Sequence, residues 1–334
     1  MAVIAVLGAG SWGTALAILL AEHGDHDVRL WEFRPDAAGK LAEERENREF
    51  LPGAPFPDPL RVTNDLREAL EGTEGALIVV PSQFVRSALE RIDWDVSDKL
   101  WIGASKGIEN RTLMRMSEVA TEGLGEGIRE RYVALSGPSH AEEVARKLPT
   151  TVVAACPDLD HARRVQTWFS GPTFRVYASD DIVGVELGGS LKNTIALGTG
   201  ICDGLGFGDN TRGALITRGL AEIARLGVRL GGRPETFAGL SGMGDLITTC
   251  TSPHSRNRYV GEQLGKGRTL EEILSSMHMV AEGVETTRAV HRLSRKAEVE
   301  MPISEQVYRV LFEGASPRKA VQQLMTRSLK VENA

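Results

Sequence analysis

The stretch V3-I-A-V-L-G-A-G-S-W-G-T14 joins a five-residue apolar run to three spaced glycines and then to the helical pattern T14-A-L-A-I-L-L-A-E22. A continuous apolar run of that length reads as a strand buried on both faces. Gly8 permits the tight turn, Gly10 lets backbone approach a pyrophosphate, and Gly13 lets the helix lie close to the strand. The helix N-terminus then offers unpaired N–H groups to an anion. D27-V-R-L-W31 follows as a second strand and completes a βαβ unit. The spacing points to a dinucleotide site, against the alternative of a tight turn without a ligand.

The alternation continues outward. Strand candidates recur at R61-V-T63, G75-A-L-I-V-V80, L100-W-I-G-A104, Y132-V-A-L135 and T150-T-V-V-A-A155, with helical stretches such as Ser82 to Glu90 and Leu113 to Gly123 between them. This pattern predicts an α/β fold, a doubly wound, mostly parallel sheet of the Rossmann type. Beyond about Asp181 helical patterns take over: Val183 to Gly200, Thr211 to Leu226, Pro234 to Leu240, Val260 to Gly265, Thr269 to Met277, Glu285 to Ser294 and Pro302 to Glu313. The expected domains are therefore 1–181, binding the dinucleotide, and 182–334, an all-helical substrate and catalytic domain. The charge run E43-E-R-E-N-R-E49 reads as a solvated helix face or loop.

Bulk properties narrow the function. The 334 residues are 42% hydrophobic and 25% charged with a formal charge of −6, which gives no electrostatic case for nucleic acid. No apolar run has the length of a membrane span, and the N-terminus lacks the basic start of a signal peptide. Three isolated cysteines, Cys156, Cys202 and Cys250, suggest neither a disulfide framework nor zinc, and a reducing cytoplasm is expected. His23, His26, His140, His161, His254, His278 and His291 are scattered without ligand spacing, so no metal is implied. Asp203 and Asp209 flank glycines and read as shaping a tight loop.

At the end of the second strand Glu32 occupies the position where a carboxylate accepts a hydrogen bond from the adenosine ribose. Arg34, two residues on, suits a 2′-phosphate instead. NAD and NADP both remain open.

Chemistry-bearing residues gather in glycine-rich surroundings. A104-S-K-G-I-E109 puts Lys106 just past a strand end, where ligands of doubly wound sheets bind. S136-G-P-S-H-A141 has small residues after a strand. E186-L-G-G-S-L-K-N-T194 sets Lys192 among glycines and aliphatics, where a packed helix ordinarily tolerates no charge. G242-M-G-D245 and S255-R-N-R258 add a carboxylate and a compact set of cations and amides. A lysine titrating near 10.4 is a poor base near neutrality, but burial and a second cation lower it. Lys106 is the candidate second cation for Lys192.

On these motifs, together with G8-A-G-S-W-G-T14, S105-K-G107, C202-D-G-L-G-F-G-D-N210 and S241-G-M-G-D-L-I-T-T-C250, the sequence resembles bacterial NAD(P)-dependent glycerol-3-phosphate dehydrogenase nearly from end to end. The resemblance implies reversible conversion of sn-glycerol 3-phosphate to dihydroxyacetone phosphate, supplying glycerol phosphate for phospholipids, by a homodimer. It implies Lys192 as proton donor and acceptor, Lys106 in contact with substrate near the cofactor, Asp245 as an orienting partner, and Asn193 as a hydrogen-bond partner for a substrate oxygen or the lysine. Arg256 would hold the phosphate with Ser255 and Asn257, and Gly137 and Ser139 would touch substrate. Cofactor contacts would fall to Ser11, Trp12, Phe33, Arg34, Ala141, Arg256, Val280 and Glu282, beside the glycines. Val280 and Glu282 read equally as a loop and cap before a helix starting at Glu285. Two other readings stand: a β-hydroxyacid-type dehydrogenase, which also uses a lysine and an asparagine on a helix, and a dinucleotide-holding sensor without turnover.

Overall fold

The structure, a computed structural model, describes residues 1–23, 26–277, 279–329 and 331–332; His278 lies outside them. The strands are β1 (Val3–Leu7), β2 (Asp27–Trp31), β3 (Leu60–Thr63), β4 (Gly75–Ile78), β5 (Leu100–Gly103), β6 (Tyr132–Ser136), β7 (Thr150–Ala155) and β8 (Phe174–Ser179). They form one sheet in the order β3-β2-β1-β4-β5-β6-β7-β8. Every neighbouring pair is parallel except β6 with β7. The order reverses between β1 and β4, the crevice at which such sheets bind ligands.

The helices of this half are α1 (Ser11–His23), α2 (Pro35–Glu44), α3 (Leu66–Leu70), α4 (Val85–Leu89), α5 (Met116–Leu124), α6 (Ala141–Ala145) and α7 (Leu159–Phe169). The all-apolar central strands are explained by cores on both faces. Ile4 and Val6 pack toward Leu16 and Leu20 of α1, while Ala5 and Leu7 pack toward Trp101 and Tyr132.

The structure changes several details of the sequence reading. F174-R-V-Y-A-S179 is a strand that the pattern did not reveal; it alternates buried and exposed residues at a sheet edge and directly precedes the helical half. The strand from Gly75 stops at Ile78, which leaves Val79 and Val80 to line a cleft. The expected helix from Leu113 begins at Met116, because Leu113 adopts a left-handed φ of 66°. The 43–49 charge run is more than solvated surface. Arg45 ends α2 in a left-handed turn, and Asn47 is buried beneath the first glycine loop.

The second half comprises α8 (Ile182–Gly204), α9 (Asp209–Arg229), α10 (Pro234–Ala238), α11 (Asp245–Thr251), α12 (Arg256–Gly265), α13 (Leu270–Ser275), α14 (Glu282–Lys296), α15 (Pro302–Phe312) and α16 (Pro317–Met325). A π-helical turn at Leu240–Gly244 leads into α11. The helix α8 has no polar face: its residues are buried almost without break from Leu187 to Cys202. Such a helix must lie inside other helices, and α9, α11, α12, α14 and α15 surround it.

The helices α8 and α12 cross backbone to backbone, and glycine makes it possible. A Cβ on Gly200 would lie 2.0 Å from the Arg258 carbonyl oxygen, and one on Gly261 would lie 2.1 Å from that of Leu197. Both obstacles are backbone. Gly261→Ala is therefore expected to destabilise by at least the ~1–3 kcal/mol typical of overpacking. Gly213→Ala, on the exposed side of α9 with nothing within 4 Å of its Cβ, should instead stabilise by about 0.5–1 kcal/mol. Urea unfolding midpoints of the two variants should move in opposite directions.

Candidate active site

A cleft of about 1020 Å³ runs from the C-terminal ends of β1 and β2 to the start of α12. At its nucleotide end Gly8 has φ 119°, and a Cβ on Gly13 would lie 1.9 Å from the Gly8 carbonyl oxygen. The turn thus requires glycine at both places. Gly10 differs: a Cβ there meets nothing within 4 Å, so its backbone faces open cleft. That space, with Ser11 and Trp12 opening α1, fits a pyrophosphate approaching backbone N–H groups. Asn47, which sequence reasoning passed over, secures this turn by donating to the Ala9 carbonyl and to Thr14 Oγ1, each at 2.8 Å. Only its place as the one uncharged residue of the 43–49 charge run hinted at it.

Glu32 and Arg34, read as alternatives in the sequence, are bonded to each other: Arg34 Nε donates to Glu32 Oε1 at 2.9 Å. Phe33 stands beside them, 60% exposed, with its ring edge-on to Trp31.

At the far end three charged side chains meet. Asp245, the first residue of α11, accepts from Lys106 Nζ at Oδ2, 2.8 Å, and faces Lys192 Nζ at Oδ1, 2.7 Å. Lys192 also donates to Thr249 Oγ1 at 2.5 Å. Thr249 lies in the S241–C250 motif, one turn along α11 from Asp245, and its i+4 spacing from the aspartate is the sequence signal for it. Lys106 is steadied by the Gly137 carbonyl at 2.9 Å and Ser139 Oγ at 3.4 Å. The glycines of the lysine motif set the distances. A Cβ on Gly188 would lie 2.7 Å from the Ser241 carbonyl oxygen, and one on Gly189 would lie 2.3 Å from Ser136 Oγ. They let α8 press against both the turn carrying Asp245 and the end of β6.

Burial lowers the Lys192 pKa; the Asp245 carboxylate pushes it back up and Lys106 lowers it further, leaving it at about 8. Burial alone would raise the Asp245 pKa, but the two ammonium groups outweigh it and hold the acid below its ordinary value. Lys192 is thus able to change protonation near neutrality in a way no solvated lysine can.

The third group lies at the start of α12. Arg256 donates from Nη1 to the Val280 carbonyl at 2.9 Å and makes no ion pair among the described residues. Burial lowers its pKa, against the pull of Glu142 and Glu282. A half-buried guanidinium without a carboxylate, at a helix N-terminus, is suited to an incoming anion.

The other expected residues are engaged with their neighbours or line the cleft. Asn193 accepts from Asn257 Nδ2 at 2.9 Å and is engaged there, not with the lysine. Asn257 Oδ1 in turn accepts the Gly283 N–H at 2.9 Å. Ser255 Oγ caps α12 by accepting the Arg258 N–H at 3.2 Å. The last helix before Val299 begins at Glu282, not Glu285, and the half-buried Glu282 carboxylate accepts the Ser82 N–H at 2.9 Å and its hydroxyl at 2.5 Å. Val280 is exposed at the cleft wall, with Ala141 also lining the cleft. Gly13 and Gly137 act from behind the surface. Cys156, Cys202 and Cys250 are buried free thiols. Asp203 sits within α8 and pairs with Arg212 and Arg258, while Asp209 opens α9.

A glycine turn of the dinucleotide-binding type, a buried lysine of lowered pKa and a guanidinium without an ion pair among the described residues share one cleft, an arrangement that suits a dinucleotide-dependent dehydrogenase with a small anionic substrate. Comparison with known proteins gives the family. Residues 3–162 match the model of the NAD-dependent glycerol-3-phosphate dehydrogenase N-terminus and residues 181–322 that of its C-terminus. Glycerol-3-phosphate dehydrogenase [NAD(P)+] of Pelotomaculum thermopropionicum is 55% identical over 97% of this chain and 93% of its own. That of Chlorobium limicola is 54% identical over 98% and 99%. The crystal structure of glycerol-3-phosphate dehydrogenase from Coxiella burnetii superimposes with a TM-score of 0.91 at 42% identity, covering 98% and 99% of the two chains. The chain belongs to the NAD-dependent glycerol-3-phosphate dehydrogenase family, whose members interconvert sn-glycerol 3-phosphate and dihydroxyacetone phosphate with NAD(H) or NADP(H). D-mandelate dehydrogenase, at 14% identity and a TM-score of 0.62, shares the fold alone.

The Thr249 contact can be tested directly. A hydrogen bond to a charged group contributes about 1.5–3 kcal/mol, so Thr249→Val should lower kcat for dihydroxyacetone phosphate reduction roughly ten- to hundredfold. The dissociation constant for the reduced dinucleotide, read by its fluorescence, should stay unchanged.

Proposed function

We propose that this enzyme carries the proton of the reaction on Lys192 and holds the substrate between Lys106 and Arg256. The observation that carries the reading is a buried lysine with a lowered pKa, 2.7 Å from Asp245, in the same cleft as the dinucleotide turn. Gly10, Ser11 and Trp12 hold the pyrophosphate on a turn that Gly8 and Gly13 shape. Phe33 and Arg34 flank the adenosine, and Ala141, Val280 and Glu282 form the wall nearer the chemistry. The bound nicotinamide supplies hydride chemistry at the substrate C2. As the C2 oxygen gains negative charge, Lys192 gives it a proton; in the oxidative direction neutral Lys192 takes the hydroxyl proton. Lys106 adds fixed positive charge to the same oxygen-rich site, with Ser139 and the Gly137 carbonyl positioning it. Asp245 keeps the two ammonium groups together in the unliganded site. The guanidinium of Arg256 and the N-terminus of α12 receive the phosphate, while Ser255 and Asn257 fix that helix start and Asn193 braces Asn257.

We further propose that residues 1–181 bind the dinucleotide and residues 182–334 complete the substrate site, in a cytoplasmic homodimer that makes glycerol phosphate for phospholipids. The three buried free thiols suit a reducing compartment. No helix among the described residues is long and apolar enough to cross a membrane.

The direct test is dihydroxyacetone phosphate reduction by wild type and by Lys192→Ala. The variant should lose about 10²–10⁴-fold in kcat while binding the dinucleotide normally; near-normal turnover would remove Lys192 from the proton step. The pH dependence has a definite sign. Reduction needs the ammonium form, so its rate should fall as pH rises through about 8. Oxidation of glycerol 3-phosphate needs the neutral amine and should rise across the same range.

A further inference from the structure

We propose that the Glu32–Arg34 pair makes this enzyme selective for NADH, whose adenosine carries a free 2′-hydroxyl, over NADPH, whose 2′-oxygen is phosphorylated. The inference rests on the dehydrogenase reading above and extends it to a choice the family leaves open.

Glu32 follows the last residue of β2, whose carbonyl accepts the Gly8 N–H at 3.1 Å, so its side chain starts beside the dinucleotide turn. That side chain is only 10% exposed. Its Oε1 accepts both the Arg34 backbone N–H at 3.1 Å and Arg34 Nε at 2.9 Å. Among the described residues Oε2 has no hydrogen-bond partner, and Glu32 lines the cleft. An ionised carboxylate only accepts, so the free oxygen suits a ribose hydroxyl that donates.

A 2′-phosphate reverses each term. It brings about 1.5–2 further negative charges against a carboxylate that the backbone N–H of Arg34 holds in place. Arg34 is not free to compensate. Its Nε is engaged by Glu32, and its Nη2 lies 3.8 Å from Glu49, so one cation already serves two carboxylates. Of the other cations near this end among the described residues, Arg48 lies 3.2 Å from Glu46 and Lys40 lies 4.0 Å from Glu44, while Arg91 is stacked over the Phe33 ring at 4.7 Å and the Trp31 ring at 5.7 Å. NADPH would have to draw one of these cations off the rings or carboxylates that now hold it. NADH needs no such movement, and specificity is the difference between those two affinities.

The test is kcat/KM for NADH and NADPH at saturating dihydroxyacetone phosphate, with dissociation constants for both measured in parallel by nicotinamide fluorescence. Wild type should favour NADH by at least about tenfold, expressed mainly in KM and Kd. Glu32→Ser should narrow or invert the ratio by improving NADPH, and Glu32→Ser/Arg34→Ala should lose that improvement, because the freed arginine is what receives the phosphate. Glu32→Gln, which keeps the size and loses the charge, should shift the ratio in the same direction if the serine variant does not fold. Equal or better use of NADPH by wild type, or a ratio indifferent to Glu32, would overturn the proposal. Absence of turnover with both dinucleotides would count against the proposed reaction instead, and the two dissociation constants would still decide selectivity.

Discussion

Two lysine ammonium groups share one buried carboxylate, and much of the molecule is arranged to make that possible. A lone buried charge costs several kcal/mol, and two like charges in one pocket cost more. Asp245 supplies the missing anion through one oxygen to each lysine. The grouping still retains an excess positive charge when all three are ionised, which matches a substrate that brings phosphate and develops negative charge on its C2 oxygen. The same arrangement explains the intermediate pKa of Lys192. Burial would drive it far lower without Asp245, and solvent would return it to the ordinary range of a lysine.

The three residues come from distant parts of the chain: the turn after β5, the middle of α8 and the start of α11. They can meet only if α8 passes unusually close to two neighbours at once. Gly188 and Gly189 remove the side chains that would hold it away from the 240–244 turn and from β6, and Gly200 and Gly261 do the same at α12. The α12 crossing has a second consequence, since it fixes where Arg256 sits relative to Lys192. The proposed proton-transfer group and phosphate receptor are therefore spaced by backbone contact between two helices, where little side-chain repacking can change the distance.

Much of this was legible in the sequence because its signals are local. A strand, three glycines and a helix occupy consecutive residues, and a lysine inside an apolar helix stands out against its neighbours. Tertiary partnerships were less legible. Asn193 bonds Asn257 across 64 positions, and Asn47 reaches back 38 positions to the first turn; an asparagine in a charged loop looks the same whether buried or not. Thr249 is an unremarkable threonine until Lys192 is beside it. The strand β8 was hidden because its half-exposed edge pattern merges into the start of the helical half. Glu32 and Arg34 were read as rivals, since sequence spacing cannot say that two opposite charges two residues apart have found each other.

The most direct measurement is the pH dependence of kcat/KM for dihydroxyacetone phosphate, at saturating reduced dinucleotide, in wild type and in Asp245→Asn. Removing the carboxylate takes away the attraction that raises the Lys192 pKa and leaves burial and Lys106, both of which lower it. The falling limb, near pH 8 in wild type, should move to lower pH in the variant, together with a loss of maximal rate. A limb that stays in place while the variant remains folded and binds the dinucleotide would contradict the claim that Asp245 sets the protonation of Lys192.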